Sequence, residues 1–361
     1  MSSANFVHRN NLFTFTATRC LRNEYFHNDC HICIDLCPKN AIQLVRNKLT
    51  IFDHECIECA GCIGSCPTES FEIESFDPNE FAASYALNNT PTVSCKISTP
   101  CLGVFDVEHV LVMVLRSGEN ALCDLSHCAA CSLNEQGIME RTIRKRMDEA
   151  NSFLTKIGIE KEMKTIDVPE KEAPLRVLFR KGLEKAKGAM GKDAVAVKSM
   201  TASHHGTVGM LIPLKRIMLK NSLKEYVGNM RETKSTDASS LFFNKQIDFD
   251  TCANCGDCTQ FCPTDALFAS SDKQGIYFSQ GKCIGCGICE DICKPNAITK
   301  KEEYDLVSVA FDRAELLVRY AMVMCGECRC PYPYKGGDPI CDRCAGYKKE
   351  FSTMFTLAKD M

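Results

Sequence analysis

The chain has no tryptophan among its 361 residues, and aromatic residues make up only 8%. That removes much of the stacking surface that holds single-stranded nucleic acid, and no nucleic-acid partner is expected. No stretch approaches the ~18 consecutive apolar residues of a membrane span, and the opening MSSANFVHRNNLF lacks the apolar centre of a secretory signal. Also missing are a phosphate-cradling loop, a flavin fingerprint and a nucleophile elbow, so no device for bond chemistry is legible. A net charge of −3 argues neither for nor against a charged partner overall; 361 residues can hold two or three domains, and 45% hydrophobic content is enough for ordinary cores. What the chain has in excess is cysteine, 26 residues. In a small secreted protein these would be disulfides, but here they fall in runs with metal-ligand spacing, which points to a reducing cytoplasm.

The most regular runs are CANCGDCTQFCP and CIGCGICEDICKP, between Cys252 and Pro295. Each sets three cysteines at i, i+3 and i+6 and a fourth four residues later, the spacing of a two-cluster bacterial ferredoxin. A 4Fe-4S cube needs one thiolate per iron, and three come from a single tight loop whose amides point at the sulfurs. Gly256, Gly285 and Gly287 lie in these loops, where positive φ lets the backbone close. The fourth cysteine of each run serves the other cluster. The expected sets are Cys252, Cys255, Cys258 and Cys293, and Cys283, Cys286, Cys289 and Cys262. Zinc does not ask for a third cysteine three residues on, and residues three apart seldom form an unstrained disulfide. Lys294 displaces the customary proline to Pro295 without touching a ligand position.

Residues 30–75 repeat this pattern in a worn form. CIECAGCIGSCP supplies Cys56, Cys59, Cys62 and Cys66 with Gly61 and Pro67 in place, but CHICIDLCP supplies only Cys30, Cys33 and Cys37, with His27 at the first position. Either His27 is a ligand, or Cys20 reaches in, or that cluster keeps three thiolates. A longer loop closes at modest entropic cost, which favours Cys20. The sets are then Cys20, Cys30, Cys33 and Cys66, and Cys56, Cys59, Cys62 and Cys37. Each fourth cysteine leads into a short turn and an apolar strand (NAIQLV, ESFEIE, DALFAS, NAIT), and LTIFDHEC, QIDFDTC and IYFSQGKC place strands before the loops. The unit occurs four times in two pairs.

Between the pairs the pattern changes. TPTVSC, NALCDL and MKTIDV read as strands. Asp106 caps a helix through DVEHVLVMVLRS that stops at Gly118, and a longer helix from about Asn134 sets Met139, Ile143, Met147, Ala150, Leu154 and Ile157 on one face. The βαβαβ order predicts a small parallel sheet with its functional groups at the carboxyl strand ends. Cys95, Cys101, Cys123, Cys128 and Cys131 collect there beside His127, as a further cluster, a zinc site, a redox thiol pair or simply core residues. Residues 171–220 carry 11 Lys and Arg against 3 Asp and Glu, with helical stretches LRVLFRKGLEKAKGAM and LIPLKRIMLKNSLKEYV, and serve as a solvated face or a dock for an acidic partner. His204 and His205 read as loop residues. After the second pair, a helix through DRAELLVRYAMVM leads to Cys325 and Cys328, then Cys341 and Cys344, which suit a zinc ribbon, while Cys330 as a fifth thiol keeps a cluster open.

The fold expected is α+β. It has a dicluster domain (1–76), a small α/β domain with the cysteine group (77–168), a basic helical segment (169–240), a second dicluster domain (241–303) and a helix with a zinc-ribbon-like knuckle (304–361). The cysteine runs resemble the 8Fe-8S bacterial ferredoxins. Over nearly the whole chain, CHICIDLCP preceded by Cys20, PCLGVFDVEHVLVMVLRSG followed by CDLSHCAAC, APLRVLFRKGLEKA and IPLKRIMLK resemble the iron-sulfur proteins encoded beside molybdenum or tungsten formate dehydrogenases. That resemblance implies a cytoplasmic electron carrier or accessory factor for such an enzyme. The function read is relay of electrons through about four 4Fe-4S clusters, with a fifth and a zinc ion as further cofactors, between a redox enzyme such as formate dehydrogenase and an acceptor. The competing reading is a maturation factor whose central cysteines act on a client enzyme.

Overall fold

A computed structural model describes residues 7–9, 13–25, 27–87, 92–166, 212–228, 230, 233–235 and 241–351. The first domain opens with β1 (Val7–Arg9) and β2 (Thr14–Thr16), then α1 (Leu21–Glu24) and α2 (Ile32–Asp35), followed by the hairpin β3 (Ile42–Val45) and β4 (Lys48–Ile51). Its second half holds α3 (Gly61–Ser65) and β5 (Phe71–Glu72), which returns to pair antiparallel with β2. Phe13, Phe15 and Phe71 stack at that joint and seal it.

Next, α4 (Pro78–Ser84) is capped by Asp77, whose carboxylate accepts from the Asn79 and Glu80 amides. The central sheet follows as β6 (Thr92–Ser94), α5 (Val107–Arg116), β7 (Ala121–Asp124), α6 (Ile138–Lys156) and β8 (Met163–Ile166). Its strands are parallel in the order β6-β7-β8, as the βαβαβ reading expects. With no reversal in strand order, right-handed crossovers place both helices on one face, and α5 packs on α6. Asp106 caps α5 reciprocally with His109: the Asp106 amide donates to His109 Nδ1 at 3.0 Å. Every residue from Val107 to Leu115 is buried, because α4, α6 and α7 (Leu214–Val227) surround α5.

The second cysteine-rich domain comprises β10 (Asn244–Ile247), α8 (Asp257–Gln260), β11 (Leu267–Ala269), β12 (Gly275–Ser279), α9 (Ile288–Asp291) and β13 (Ile298–Lys301); β9 (Lys234–Ser235) precedes it. β10 pairs with β13 and β11 with β12, both antiparallel, so the strands before and after the cysteine runs clasp each other. Then come β14 (Tyr304–Asp305), paired with β9, and α10 (Leu306–Ala310).

Two expectations need correcting. DRAELLVRYAMVM is not helical: it forms β15 (Ala314–Arg319), which adds to β12 as the third strand of that sheet, and β16 (Ala321–Met324). The open edge of β12 supplies pairing that outweighs the segment's helix propensity, and Val318 and Tyr320 are buried there while Leu316 faces out. The basic stretch is also different in its described part. Lys215, Arg216 and Lys220 on α7 are neither solvated nor free to dock. They are buried and paired with Asp106, Glu108 and Asp312. Residues 171–211, with His204 and His205, lie outside the described residues.

Candidate iron-sulfur and metal sites

In the second domain, α8 and α9 start on Gly256 and Gly287 at φ 85° and 78°, and Gly285 has φ 70°, as the loop closure requires. Gly285 is doubly constrained, since a Cβ there would lie 2.4 Å from the Phe243 ring. The turns cross the two cysteine runs. Burial, together with charge on Cys252, Cys255 and Cys293, pushes the Cys258 thiol up to about 12. Burial likewise raises Cys286 to about 12, and there the neighbours are Cys283 and Cys262. Backbone amides donate to three of these sulfurs, Asn254 to Cys252 at 3.4 Å, Leu267 to Cys262 at 3.4 Å and Ala297 to Cys293 at 3.2 Å. Lys245, buried beside Cys283 and Cys289, pairs with Glu290 at 2.9 Å. It brings a fixed positive charge to this group, which the sequence reading missed because a strand lysine normally faces water.

The first domain assembles its groups from more distant pieces. Cys20 ends the turn after β2 and lies with Cys30, Cys33 and Cys66; burial pushes its thiol to about 11, and Cys66 and Cys30 add repulsion. Cys37 joins Cys56, Cys59 and Cys62. His27, by contrast, is exposed, with its ring edge on Tyr25 at 6.0 Å. The left-handed residue ahead of α3 is Ala60 at φ 58°, not Gly61. The glycine required for space in α3 is Gly64, where a Cβ would lie 2.6 Å from the Gly103 carbonyl; at Gly61 it would meet only the movable end of Met139. Ala41 and Ser70 amides donate to Cys37 and Cys66 at 3.2 and 3.3 Å.

The two domains meet at their cysteine loops. Asn28 is 3% exposed. Its Oδ1 accepts from the Cys30 amide, and its Nδ2 donates to the Cys286 carbonyl, each at 3.0 Å. Leu21 and Ile288 bury against each other with Cys30 and Cys286 at their sides. Nothing in the sequence marks Asn28, because an Asn before a cysteine loop reads as a turn residue.

The central cysteines divide. Cys95, Cys101, Cys128 and Cys131 line one cavity with His127. Cys123 turns into the apolar core between sheet and helices with Val93, Val110 and Ile143, close enough to Cys128 and Cys95 to feel their charge but outside the cavity that the other four line. The C-terminal cysteines form a tighter set. Cys325 and Cys328 sit between β16 and β17 (Pro331–Tyr334), and Cys341 and Cys344 at the start of α11 (Asp342–Phe351). The arrangement is a knuckle facing a helix end, unlike a ribbon of two knuckles. Four thiolates ~2.3 Å from one zinc stand roughly 3.8 Å apart, and Cys328 and Cys341 Sγ are 3.8 Å apart. All four sulfurs lie within 4.8 Å of one another, and among the described residues no other set of three or more potential ligand atoms does. The Cys341 amide donates to Cys325 Sγ at 3.3 Å and helps hold that thiol down to about 6. Cys330 is exposed and lies outside the set.

The ferredoxin-type groups suit 4Fe-4S clusters on three counts. They hold four thiols each, the sulfurs stand wider than a single ion allows, and backbone amides are aimed at them. All 26 cysteines are free. Residues 244–294 match the model of a 4Fe-4S dicluster domain. A ferredoxin of Methanothermococcus thermolithotrophicus is 34% identical over 58 residues, 16% of this chain and 95% of that protein. The chain therefore belongs to the 4Fe-4S ferredoxin family. It is also similar to pyruvate synthase subunit PorD of Methanocaldococcus jannaschii, 33% identical over 84 residues, 23% of this chain and 84% of that one. Likeness to the archaeal-type NADPH glutamate synthase of Thermotoga maritima is 34% over 68 residues, 19% of this chain, which spans only 13% of that enzyme's length. No helix among the described residues is long and apolar enough to cross a membrane.

Proposed function

We propose that the chain is an electron-transfer subunit with four 4Fe-4S sites in a row, serving a redox enzyme in the cytoplasm. Bound clusters supply one-electron chemistry; the protein's own residues fix their number, order and shielding. The observation that carries the reading is the Asn28 bridge between the Cys30 and Cys286 loops, which joins the two domains at their cysteines instead of at their outer faces. From it the order of thiol groups runs from Cys252/255/258/293 to Cys262/283/286/289, then Cys20/30/33/66, then Cys37/56/59/62. Cys62 feels the charge of Cys33 across the last step. Likeness to PorD and to a glutamate synthase supports an enzyme partner, and formate dehydrogenase is the partner proposed on the resemblance of the longer motifs. Zinc in the C-terminal set would tie β16 and β17 to α11, a tip with few buried residues of its own.

The test is an anaerobic redox titration followed by visible absorption and electron paramagnetic resonance. Reversible bleaching by a low-potential physiological donor, with both domains contributing, is expected. Clusters that no such donor reduces reversibly would contradict the relay.

A further inference from the structure

The central cavity lies against the first domain in a way that extends the row. Pro100 lines both this cavity and the one beside Cys37, Cys56, Cys59 and Cys62. Next to it, Gly103 separates the two sites by backbone alone. A Cβ at Gly103 would lie 3.6 Å from the Cys59 carbonyl and 3.7 Å from Cys101 Sγ. Neither intervening residue places a polar side chain between the sites.

The loops that carry the four cysteines are held from below. At the carboxyl ends of β6 and β7, Ser94 Oγ donates to Asp124 at 2.8 Å and locks the two strand ends together. The Ile97 and Ser98 amides turn back on the Ser94 carbonyl, which sets Cys95. After β7, the Cys131 amide bonds the Cys128 carbonyl in a tight turn. Asn134 fastens that turn to α6, donating to the Cys128 carbonyl at 2.8 Å and accepting from the Glu140 amide at 3.0 Å. The floor is apolar, formed by Leu102, Leu133, Met139 and Ile143. Four thiols from two braced loops thus line one cavity over a largely apolar floor.

The spacing of the sulfurs selects among ligands. No three of them lie within 4.8 Å of one another, unlike the C-terminal set, so they suit a group that binds one thiolate per iron better than a single tetrahedral ion.

We propose that Cys95, Cys101, Cys128 and Cys131 bind a fifth 4Fe-4S cluster at the end of the row beyond Cys59. Each thiol gives up its proton on binding, and Cys123 takes no part. The assignment rests on the iron-sulfur reading of the neighbouring sites, and it has its own test. Iron, acid-labile sulfide and zinc are counted on the anaerobically reconstituted full chain and on Cys128→Ser, Cys95→Ser and Cys123→Ser. About twenty irons in the parent, about sixteen in the first two variants and no change in the third are expected. Alkylation of the native protein should leave the four cysteines protected, a readout that does not depend on the variants folding. A parent count of about sixteen with these four thiols alkylated would overturn the fifth site while leaving the relay standing, and would favour a thiol role toward a client. Loss of a second zinc in place of iron would overturn it as well. Failure of the relay shows separately, as clusters present in full number that no donor reduces.

Discussion

The two cysteine-rich domains reach the same closure by different means. In the second, each cysteine run is continuous, the left-handed turns fall on Gly256 and Gly287, and the strands before and after the runs pair directly. In the first, Cys20 arrives from the end of another strand, Ala60 takes the left-handed position, and Glu69 spends its carboxylate capping α7, accepting from the Leu214 and Lys215 amides at 2.7 and 3.1 Å. One domain is a self-contained unit that a family model captures; the other is woven into the central domain. Local spacing is therefore a sufficient signal for a thiol group of this kind, but the fold can assemble the same group without it.

The sharpest way to break this comparison is to remove Cys20. Cys20→Ser should lose about four irons, as Cys289→Ser would in the second domain, while His27→Ala loses none. Iron analysis of both variants decides it, and loss on His27→Ala alone would mean that the first domain closes on the histidine.

Lys215 is the next test, because it anchors the first domain from within. It is 2% exposed, and its Nζ donates to the Cys66 carbonyl at 2.8 Å while pairing with Asp106. Lys215→Met should cost about 2 to 3 kcal/mol, since the partly exposed Asp106 loses its nearest cation and keeps only Arg146 at 3.9 Å. Reversible denaturation should show the loss in the first domain and the central core, with the second domain nearly unaffected.

Glycine chemistry should separate the domains in sign. Gly285→Ala combines a left-handed φ of 70° with a clash on Phe243 and should destabilise by roughly 2 kcal/mol. Ala60→Gly relieves φ 58° and should stabilise by roughly 0.5 to 1 kcal/mol. Thermal melts of the two variants should move in opposite directions.

Acid should separate them as well. Burial, with Lys215 close by, holds His109 down to about 3 from its ordinary 6.5. The neutral ring accepts from the Asp106 amide at Nδ1, and Nε2 donates to Asn79 at 3.1 Å. Because the folded pKa lies below the unfolded one, the unfolded state binds the extra proton between those values. Stability of the central core is then full above about pH 6.5 and falls steadily as pH drops toward 3. Asp106, also held low despite its burial by Lys215 and Arg146, loses its contribution further down, below the ordinary carboxylate range. The second domain contains no histidine. His109→Gln should flatten the dependence between pH 6.5 and 4, a change of smaller size seen as a shallower slope of melting temperature against pH.

Much of this architecture was legible before the fold. The strands around most of the ferredoxin-type cysteine runs, the parallel βαβαβ order and the Asp106 cap follow from periodicity and capping chemistry. What escaped was everything fixed by distant pairing. β15 takes its conformation from the open edge of β12, and no pattern within DRAELLVRYAMVM announces that edge. The basic run looked like a surface because its partners Asp106, Glu108 and Asp312 lie far away in sequence. Likewise, the separation of Cys123 from its four neighbours depends on strand alternation, with Cys123 facing the helices and the others on the loops beyond the strand ends. Asn28 and Lys245 left no sequence signal at all, because each works through a residue of another segment.

The central claim is that the two domains form one row through the Cys30 and Cys286 loops. Its most direct test is electron paramagnetic resonance of the fully reduced chain, with and without Cys286→Ser. If the row is real, emptying the Cys286 site should slow the spin relaxation and narrow the signals of the Cys20/30/33/66 site, its magnetic neighbour. Signals from the first domain that stay unchanged in linewidth and relaxation would contradict it.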